Sequence, residues 1–168
     1  LQYKDRLNIA IEICKGMNYL HAFSPPIIHR DLKSLNILID KNLQVKIADF
    51  GWARVLDPHM SRERGTYQWM APEMFGKSSG YTEKVDIYSF GIILWELFAH
   101  EPPFKGMTSQ ELGLRVRRDP TYRPKMDINP PIPENMKALM TECWKQKPDE
   151  RPNFDEIIDY IEEEIQSC

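Results

Sequence analysis

The polar residues able to do chemistry lie between residues 29 and 73 of this 168-residue chain. His29-Arg30-Asp31-Leu32-Lys33-Ser34-Leu35-Asn36 forms one segment, and Asp49-Phe50-Gly51 begins thirteen residues after Asn36. Ala71-Pro72-Glu73 closes the set. Two carboxylates, one carboxamide and one lysine therefore fall at the ends of short β-type runs. Such a set suits phosphoryl transfer, which depends on positioning and charge stabilisation.

Each of these side chains has a chemical role that fits its type. Mg²⁺ is a hard cation that prefers oxygen ligands, which Asn36 and Asp49 supply. The carboxylate of Asp31 accepts or orients the proton of an attacking hydroxyl, and the ammonium of Lys33 offsets charge on the transferred phosphate. The alternative interpretation of Asp31, Asn36 and Asp49 is a satisfied turn network without catalysis.

Short strands and several helices must position this set. The β-type runs cover residues 27–28, 37–39 and 45–48, with a hairpin turn at 40–42. Apolar periodicity and capping signals predict helices over residues 1–23, 82–99, 108–118, 133–144 and from 153 onward. The 82–99 helix is apolar on nearly every side in its second half, so we expect it to form the buried centre. The predicted fold class is α+β and predominantly α-helical, in one domain over residues 1–168.

Composition and charge exclude several classes of protein. With 22 Lys+Arg and 25 Asp+Glu, the net charge of −3 gives no general electrostatic reason to bind nucleic acid. The longest nearly apolar run has ten residues, from 90 to 99, and a bilayer span needs about 20, so we expect no membrane insertion. The cysteines, Cys14, Cys143 and Cys168, are scattered without a C-x-x-C motif, which predicts a reducing, cytoplasmic location and no zinc site.

The motifs H-R-D-L-K-x-x-N, D-F-G and A-P-E, in this order and spacing, closely resemble the C-terminal lobe of a eukaryotic protein kinase. The resemblance extends along essentially the whole chain, with Asp86 in a segment similar to the central helix and Arg151-Pro152 similar to a late motif. Any one of these triplets alone is weak evidence for the family, but the motifs in this order and spacing are specific for it. The resemblance implies a kinase-like C-terminal lobe with a few short β-strands at the catalytic loop, and the use of ATP and Mg²⁺.

The resemblance implies a role for each matching residue of the catalytic set. Asp31 is implied to be the base or hydroxyl-orienting residue, and Lys33 to approach the γ-phosphate of ATP. Asn36 and Asp49 are implied to hold Mg²⁺, so both also contact the nucleotide. Leu38 is implied to form the floor beneath the adenine.

Further residues are implied to support the site and to regulate it. Arg30 would face a phosphorylated residue of the activation segment, which runs from 49 to 73. Asp86 would brace the backbone of the 29–31 turn, and Glu73 would form a buried ion pair with Arg151.

Within the activation segment, Ser61 is our hypothesis for the regulatory phosphorylation site, because Arg62 and Arg64 flank the region. Thr66 is implied to bond Asp31 and Lys33. The alternative is an unmodified loop.

Two groups of residues bear on the substrate class. Lys33 and Gly65-Thr66 resemble serine/threonine kinases, whereas residues 69–73 and Trp144 resemble tyrosine kinases. This mixture resembles the tyrosine-kinase-like group of serine/threonine kinases, which includes the Raf and mixed-lineage types. The implied function is transfer of the ATP γ-phosphate to Ser/Thr hydroxyls of protein substrates. Two alternatives stay open: a tyrosine or dual-specificity kinase, and a non-catalytic lobe that binds proteins through the helix near Ser109.

The other half of a kinase domain has no counterpart in these 168 residues. None of the eight glycines forms a G-x-G motif, no V-A-I-K-like lysine precedes His29, and the chain begins at Leu1. We therefore expect a C-terminal lobe whose partner is a missing N-terminal lobe, and a partly apolar, exposed face where that lobe would sit. Without it ATP is poorly positioned, so the chain alone should be inactive or nearly so.

Overall fold

The computed structural model describes residues 1–49, 67–75 and 80–167. These residues form five α-helices and one two-stranded antiparallel sheet. The elements are α1 Tyr3–His21, β1 Ile37–Ile39, β2 Val45–Ile47, α2 Lys84–Ala99, α3 Ser109–Arg118, α4 Glu134–Cys143 and α5 Phe154–Ser167. Short 3₁₀ turns cover Ser34–Asn36, Pro72–Phe75 and Pro148–Glu150. The predicted α+β, mainly helical class is confirmed.

The predicted helix starts use the capping groups that the sequence indicates. The Oγ1 of Thr108 accepts a hydrogen bond from the Glu111 amide at 3.2 Å, and Oε2 of Glu111 accepts one from the Thr108 amide at 2.8 Å. At the start of α5, the Asn153 amide donates to Oε2 of Glu156 at 2.7 Å. These side chains satisfy amides that have no partner inside the helix.

The predicted strand at residues 27–28 is wrong. The Ile27 amide instead donates to the carbonyl of Leu20 at 3.0 Å, which ties this segment back to the end of α1. Among the described residues β1 pairs with β2 alone, in the register that places Ile37 opposite Ile47. A short apolar run becomes a strand only when it pairs with a neighbouring strand, and residues 27–28 pair with none in the described part of the chain.

The predicted hairpin turn between β1 and β2 is present. The Asp40 carboxylate accepts hydrogen bonds from the amides of Asn42 and Gln44 at 2.8 and 3.0 Å. This side chain organises the loop in the manner of an Asx turn. The hairpin lies on α1, where a Cβ added at Gly16 would come within 2.9 Å of Ile47 Cδ1.

Helix α2 is the buried centre of the fold, as predicted. Every residue from 85 to 95 is buried, and each large apolar side chain among them stabilises the fold by roughly 1.5–3 kcal/mol. Helix α4 packs so closely on α2 that a Cβ added at Gly91 would lie 2.9 Å from Cys143 Cβ. No helix in the described ranges combines the length and apolar character that a membrane crossing requires. Two acidic side chains of this buried helix, Asp86 and Glu96, contact the residues of the candidate site.

Candidate active site

The carboxylate of Asp86, in the first turn of α2, holds the backbone of the 29–31 turn. Its Oδ2 accepts a hydrogen bond from the His29 amide and its Oδ1 accepts one from the Arg30 amide, both at 2.9 Å. Arg30 has a φ of 68°, a left-handed conformation that costs a non-glycine residue roughly 1–2 kcal/mol. The bonds to fully buried Asp86 offset that cost. This is the bracing position that the resemblance implied for Asp86.

His21 is a third partner of Asp86 that sequence reasoning missed. Its Nε2 lies 2.8 Å from Asp86 Oδ2, and its ring packs on Phe154 with centroids 5.1 Å apart. The side chain comes from the last turn of α1, so the 29–31 turn, α1 and α2 meet on one carboxylate. No sequence signal identified His21, because its partner lies 65 residues away along the chain.

The imidazole of His29 joins the 29–31 turn to the end of β2. Its Nε2 lies 3.1 Å from the carbonyl oxygen of Ala48, and its Nδ1 accepts a hydrogen bond from the Asp31 amide at 3.3 Å. These two bonds fit the tautomer with the proton on Nε2. Since the ring is fully buried and bonded on both nitrogens, its role is to orient Asp31.

Described residues bind one oxygen of the Asp31 carboxylate and leave the other without a partner among them. Its Oδ2 lies 2.8 Å from Lys33 Nζ and 3.4 Å from Asn36 Nδ2, and Asn36 Nδ2 also donates to the Asp31 carbonyl at 2.8 Å. Its Oδ1 is buried and accepts no hydrogen bond from any described residue. A buried polar oxygen without a donor is costly, so it is an acceptor suited to a group that arrives from outside.

Asn36 and Asp49 are brought together by the backbone. The Asn36 carbonyl accepts a hydrogen bond from the Ala48 amide at 2.8 Å, which places Asp49 one residue beyond that contact. The Asn36 side chain donates both of its hydrogen bonds to described residues through Nδ2, so its Oδ1 is available to bind a cation or a donor. Asp49 is exposed, with a φ of 63° that aspartate tolerates better than most residues.

Two neighbouring oxygen donors fit Mg²⁺, which binds through one or two protein oxygens together with waters and phosphates. Within residues 1–49, 67–75 and 80–167, no group of three or more His, Cys, Asp and Glu side chains is arranged to hold a metal. The donor set of Asn36 and Asp49 therefore suits Mg²⁺ bound to phosphate better than a metal held by protein ligands alone.

The Arg30 side chain lies against the ring of Tyr81, with Cζ 5.6 Å from the ring centroid. Its Nε is buried and has no hydrogen-bond partner in the described part of the chain. Ser61 and Thr66, the predicted activation-segment residues, lie outside the described residues, as do Phe50 and Gly51.

Leu38, the predicted adenine floor, is exposed on β1 at 56% of its full surface. Leu35 and Ile39 are also exposed, so three large apolar side chains are exposed in the five-residue segment 35–39.

Glu73 and Arg151 form a two-pronged ion pair. The guanidinium donates from Nη1 to Oε1 at 2.6 Å and from Nη2 to Oε2 at 2.9 Å. Its remaining bonds go to the carbonyls of Lys84 and Lys145, both at 2.9 Å, and its side chain is fully buried. The pair therefore fastens the Pro72–Phe75 turn to the start of α2.

Glu96, near the end of α2, is a site residue to which sequence reasoning gave no role of its own. Its Oε1 accepts a hydrogen bond from Ser34 Oγ at 3.0 Å, and its Oε2 accepts one from Trp69 Nε1 at 2.7 Å. Burial raises the pKa of Glu96, and the two hydrogen bonds oppose that rise. The Glu96 carboxylate therefore joins the 3₁₀ turn Ser34–Asn36 to the segment before Pro72.

Comparison with known proteins identifies the family of the chain. Residues 1–161 match the sequence model of the protein tyrosine and serine/threonine kinase family. Similar proteins include a probable serine/threonine-protein kinase of Dictyostelium discoideum, 43% identical over 94% of this chain and 15% of its own length. The RGS domain-containing serine/threonine-protein kinase A of the same organism is 40% identical over 96% of this chain and 14% of its own length. The serine/threonine/tyrosine-protein kinase HT1 of Arabidopsis thaliana is 41% identical over 96% of this chain and 40% of its own length. The chain spans less than half the length of each of these relatives.

Proposed function

Because this chain belongs to the protein tyrosine and serine/threonine kinase family, we propose that it is the C-terminal catalytic lobe of a protein serine/threonine kinase. The sequence motifs favour the tyrosine-kinase-like group, with its Raf and mixed-lineage types. The observation that carries the proposal is the Asp31 carboxylate, fixed on Oδ2 by Lys33 and Asn36 while buried Oδ1 is without a donor among described residues.

In the proposed reaction, Asp31 Oδ1 accepts the hydrogen bond of a Ser or Thr hydroxyl of the protein substrate. The hydroxyl oxygen then bonds to the γ-phosphorus of ATP as the bond to the leaving ADP oxygen breaks, and its proton passes to Asp31. The contacts of Asp31 to Lys33 and Asn36 hold the carboxylate in place, so little reorganisation is needed during transfer.

The neighbouring residues bind and orient ATP in this proposal. Lys33 approaches the γ-phosphate from beside Asp31 and offsets charge on the transferred group. Asn36 and Asp49 would hold Mg²⁺, which neutralises charge on the phosphate oxygens when bound. Leu38, exposed on β1, would lie beneath the adenine.

We propose that a separate N-terminal lobe completes the ATP site and covers the exposed Leu35, Leu38 and Ile39. The isolated chain is then inactive or nearly so, because positioning supplies nearly all the catalysis in this reaction. Mg²⁺- and ATP-dependent phosphorylation by the purified chain would overturn this part. We also propose a reducing, cytoplasmic location, which the free, buried thiols of Cys14 and Cys143 support.

The test uses the complete kinase domain that contains this chain. Asp31→Asn should lower kcat by roughly a hundredfold to ten-thousandfold, because the base is lost. Asp49→Asn should abolish phosphotransfer while the protein stays folded. The control is Asp127→Asn, a change at an exposed carboxylate, which should leave kcat unchanged. Full activity of Asp31→Asn or Asp49→Asn would contradict the proposed roles.

A tyrosine or dual-specificity kinase is the alternative within the family. The name of the Arabidopsis relative, a serine/threonine/tyrosine-protein kinase, favours dual specificity as a candidate. Phosphoamino-acid analysis of the product of the complete kinase domain separates the cases. Phosphoserine and phosphothreonine alone would support our proposal, and phosphotyrosine would overturn its substrate class.

A non-catalytic, protein-binding lobe is the second candidate function. One observation favours it: an open cavity of about 580 Å³ beside α3, lined by exposed Leu114 together with Arg115 and Arg118. Binding of proteins there requires no nucleotide. Association abolished by Leu114→Ala and independent of ATP and Asp49 would support this candidate.

We further propose that Ser61 is the activating phosphorylation site and that Arg30 receives its phosphate. The buried Nε of Arg30, which has no partner among the described residues, supports this, since a guanidinium binds phosphate through several hydrogen bonds. Ser61→Ala should lower the activity of the complete kinase domain. If this variant were as active as the parent, the proposal would fail.

A further inference from the structure

An open cavity of about 580 Å³ runs along one side of α3. Four residues of this helix line it: Glu111, Leu114, Arg115 and Arg118. Their spacings of three, four and seven residues place them on one side of an α-helix. All four are exposed, so this surface, which we call the α3 cavity, is open to a ligand.

The opposite side of α3 is used by the fold. Leu112, Gly113 and Val116 are buried, and a Cβ added at Gly113 would lie 3.4 Å from the ring of Tyr67. Helix α3 therefore packs directly on the segment 67–75. A ligand in the α3 cavity would be held by the outer side of a helix whose inner side contacts that segment.

The Arg115 side of the α3 cavity is backed by stacked planar groups. The Arg115 guanidinium carbon lies 4.8 Å from the centroid of the Tyr122 ring, and the rings of Tyr122 and Phe104 stack with centroids 5.5 Å apart and planes at 25°. The Tyr122 hydroxyl also donates to Met107 Sδ at 3.6 Å. The fold therefore holds Arg115 in place before any ligand arrives, which lowers the entropic cost of binding.

The two carboxylates of the α3 cavity already have donors from the chain. Glu111 Oε2 accepts hydrogen bonds from the amide and the hydroxyl of Thr108, both at 2.8 Å. Asp119 Oδ1 accepts hydrogen bonds from the amide and the hydroxyl of Thr121, at 3.1 and 2.6 Å. Neither carboxylate therefore needs a cation from a ligand to satisfy it.

The two arginines of the α3 cavity keep their donors available. Neither the Arg115 nor the Arg118 guanidinium makes a hydrogen bond or an ion pair with a described residue. A guanidinium presents planar N–H groups that match the two oxygens of a carboxylate. Leu114, which is 54% exposed, adds a large apolar side chain to the same surface. The α3 cavity therefore complements a carboxylate that lies next to an apolar group.

We propose that the α3 cavity docks a segment of the protein substrate in which Asp or Glu lies beside a large apolar residue. The substrate carboxylate would accept hydrogen bonds from Arg115 and Arg118, and the apolar side chain would cover Leu114. This rests on the proposed kinase function, because docking serves phosphotransfer only when a Ser or Thr of the same substrate reaches Asp31. It names a class of substrate: proteins with an acidic, partly apolar segment apart from the phosphorylated residue.

The binding test exposes the complete kinase domain, without nucleotide, to an array of peptides in which the residues flanking one leucine, isoleucine or phenylalanine are varied. Bound peptides should be enriched in Asp and Glu and depleted of Lys and Arg at the flanking positions. No enrichment, or enrichment of Lys and Arg, overturns the proposal. The same array carries phosphoserine in place of Asp or Glu, and binding of the phosphopeptides alone also overturns it.

Variants at exposed positions of α3 assign the binding to the cavity. Arg118→Ala and Leu114→Ala should each weaken binding of the best acidic peptide by roughly tenfold, because each removes a contact to it. Arg117→Ala is the matched control, since Arg117 is exposed on the same helix and does not line the cavity. It should change the affinity by less than about twofold. Equal effects of Arg117→Ala and Arg118→Ala would show that net charge alone matters and would overturn the site.

The kinetic test separates docking from chemistry. The best acidic segment, joined by a flexible Gly/Ser linker to a serine-containing acceptor peptide, should lower the KM for the acceptor by roughly tenfold, with kcat unchanged. Arg118→Ala should raise the KM of the joined peptide towards that of the acceptor alone and leave kcat and the KM for ATP as in the parent. A KM that does not respond to the acidic segment, or a loss of kcat in Arg118→Ala, overturns the proposal.

The two tests distinguish failure of this proposal from failure of the proposed function. An active parent domain without a preference for acidic peptides overturns the docking site and leaves the kinase function intact. A parent domain that transfers no phosphate overturns the kinase function. If that domain still selects acidic peptides through Arg118, the α3 cavity is a binding site of a non-catalytic lobe, and the proposal that it docks substrates is overturned.

Discussion

The fully buried carboxylate of Asp86 holds the backbone of Arg30 in a left-handed conformation. The Arg30 amide donates to Asp86 Oδ1 at 2.9 Å, and Arg30 has a φ of 68°. The residue next to Arg30 is Asp31, the proposed base, so the conformation of one backbone unit sets the position from which the Asp31 side chain extends. Asp86, which lies 56 residues further along the chain than Arg30, thereby determines the shape of the turn at residues 29–31.

Removal of the Asp86 carboxylate should strongly destabilise the chain. Asp86→Ala leaves the amides of His29 and Arg30 and the His21 ring nitrogen without their acceptor. An unsatisfied buried donor costs about 1–3 kcal/mol, so we expect the free energy of unfolding to fall by about 3 kcal/mol or more. Urea denaturation followed by circular dichroism measures the change. Asp127→Ala, at an exposed position, should stay within about 0.5 kcal/mol, and a similarly small effect of Asp86→Ala would contradict this prediction.

Loss of the ion pair between Glu73 and Arg151 should also destabilise the chain. Arg151→Ala leaves Glu73 and two backbone carbonyls without their donor, and breaking a buried pair on one side costs about 3–5 kcal/mol. Arg117→Ala removes an exposed arginine and serves as the control. Equal midpoints of urea unfolding for the two variants would show that the pair contributes nothing.

Gly91→Ala should destabilise the contact between α2 and α4. The added Cβ would lie 2.9 Å from Cys143 Cβ and 3.6 Å from the Met140 carbonyl, and neither atom can rotate away. We expect a loss of about 1–3 kcal/mol from overpacking, which outweighs the gain of up to about 1 kcal/mol from the helix propensity of alanine. Gly80→Ala has open space around its new Cβ and should change the thermal midpoint little. A higher midpoint for Gly91→Ala than for the parent would refute the packing argument.

The free energy of unfolding should depend on pH through Glu96. The sign of this dependence should be opposite to that produced by a salt-bridged carboxylate, whose pKa is lowered on folding. Burial raises the pKa of Glu96 in the folded state above its ordinary value of 4.5, so the folded state binds the proton more tightly than the unfolded state. Stability from this group therefore increases as the pH falls through the folded pKa, and the increase is complete below the unfolded value.

The difference between the parent and Glu96→Gln isolates this effect, since the other carboxylates cancel. The free energy of unfolding of the parent should rise relative to that of Glu96→Gln as the pH is lowered from neutrality towards 4.5. Urea titrations at several pH values measure the difference. A difference that stays constant or falls over this range would show that the folded pKa is not raised.

The helices and the hairpin turn were predictable from local sequence. The apolar pattern at 82–99, the Thr108 and Glu111 capping pair and the turn at Asp40 depend on residues within one or two helical turns of each other. The structure contains each of them at the expected position. The run at 27–28 was predicted wrongly, because whether a short apolar run becomes a strand depends on a partner edge that local sequence does not reveal.

The sequence by itself determined which side chains are available for chemistry: the carboxylates of Asp31 and Asp49, the carboxamide of Asn36 and the ammonium of Lys33. Only the tertiary structure decided how they are held, by His21, Asp86 and Glu96. Spacing along the chain reports contacts within a turn or a hairpin. A buried carboxylate instead collects whichever donors the packing of distant helices brings to it, because each buried donor and acceptor must find a partner.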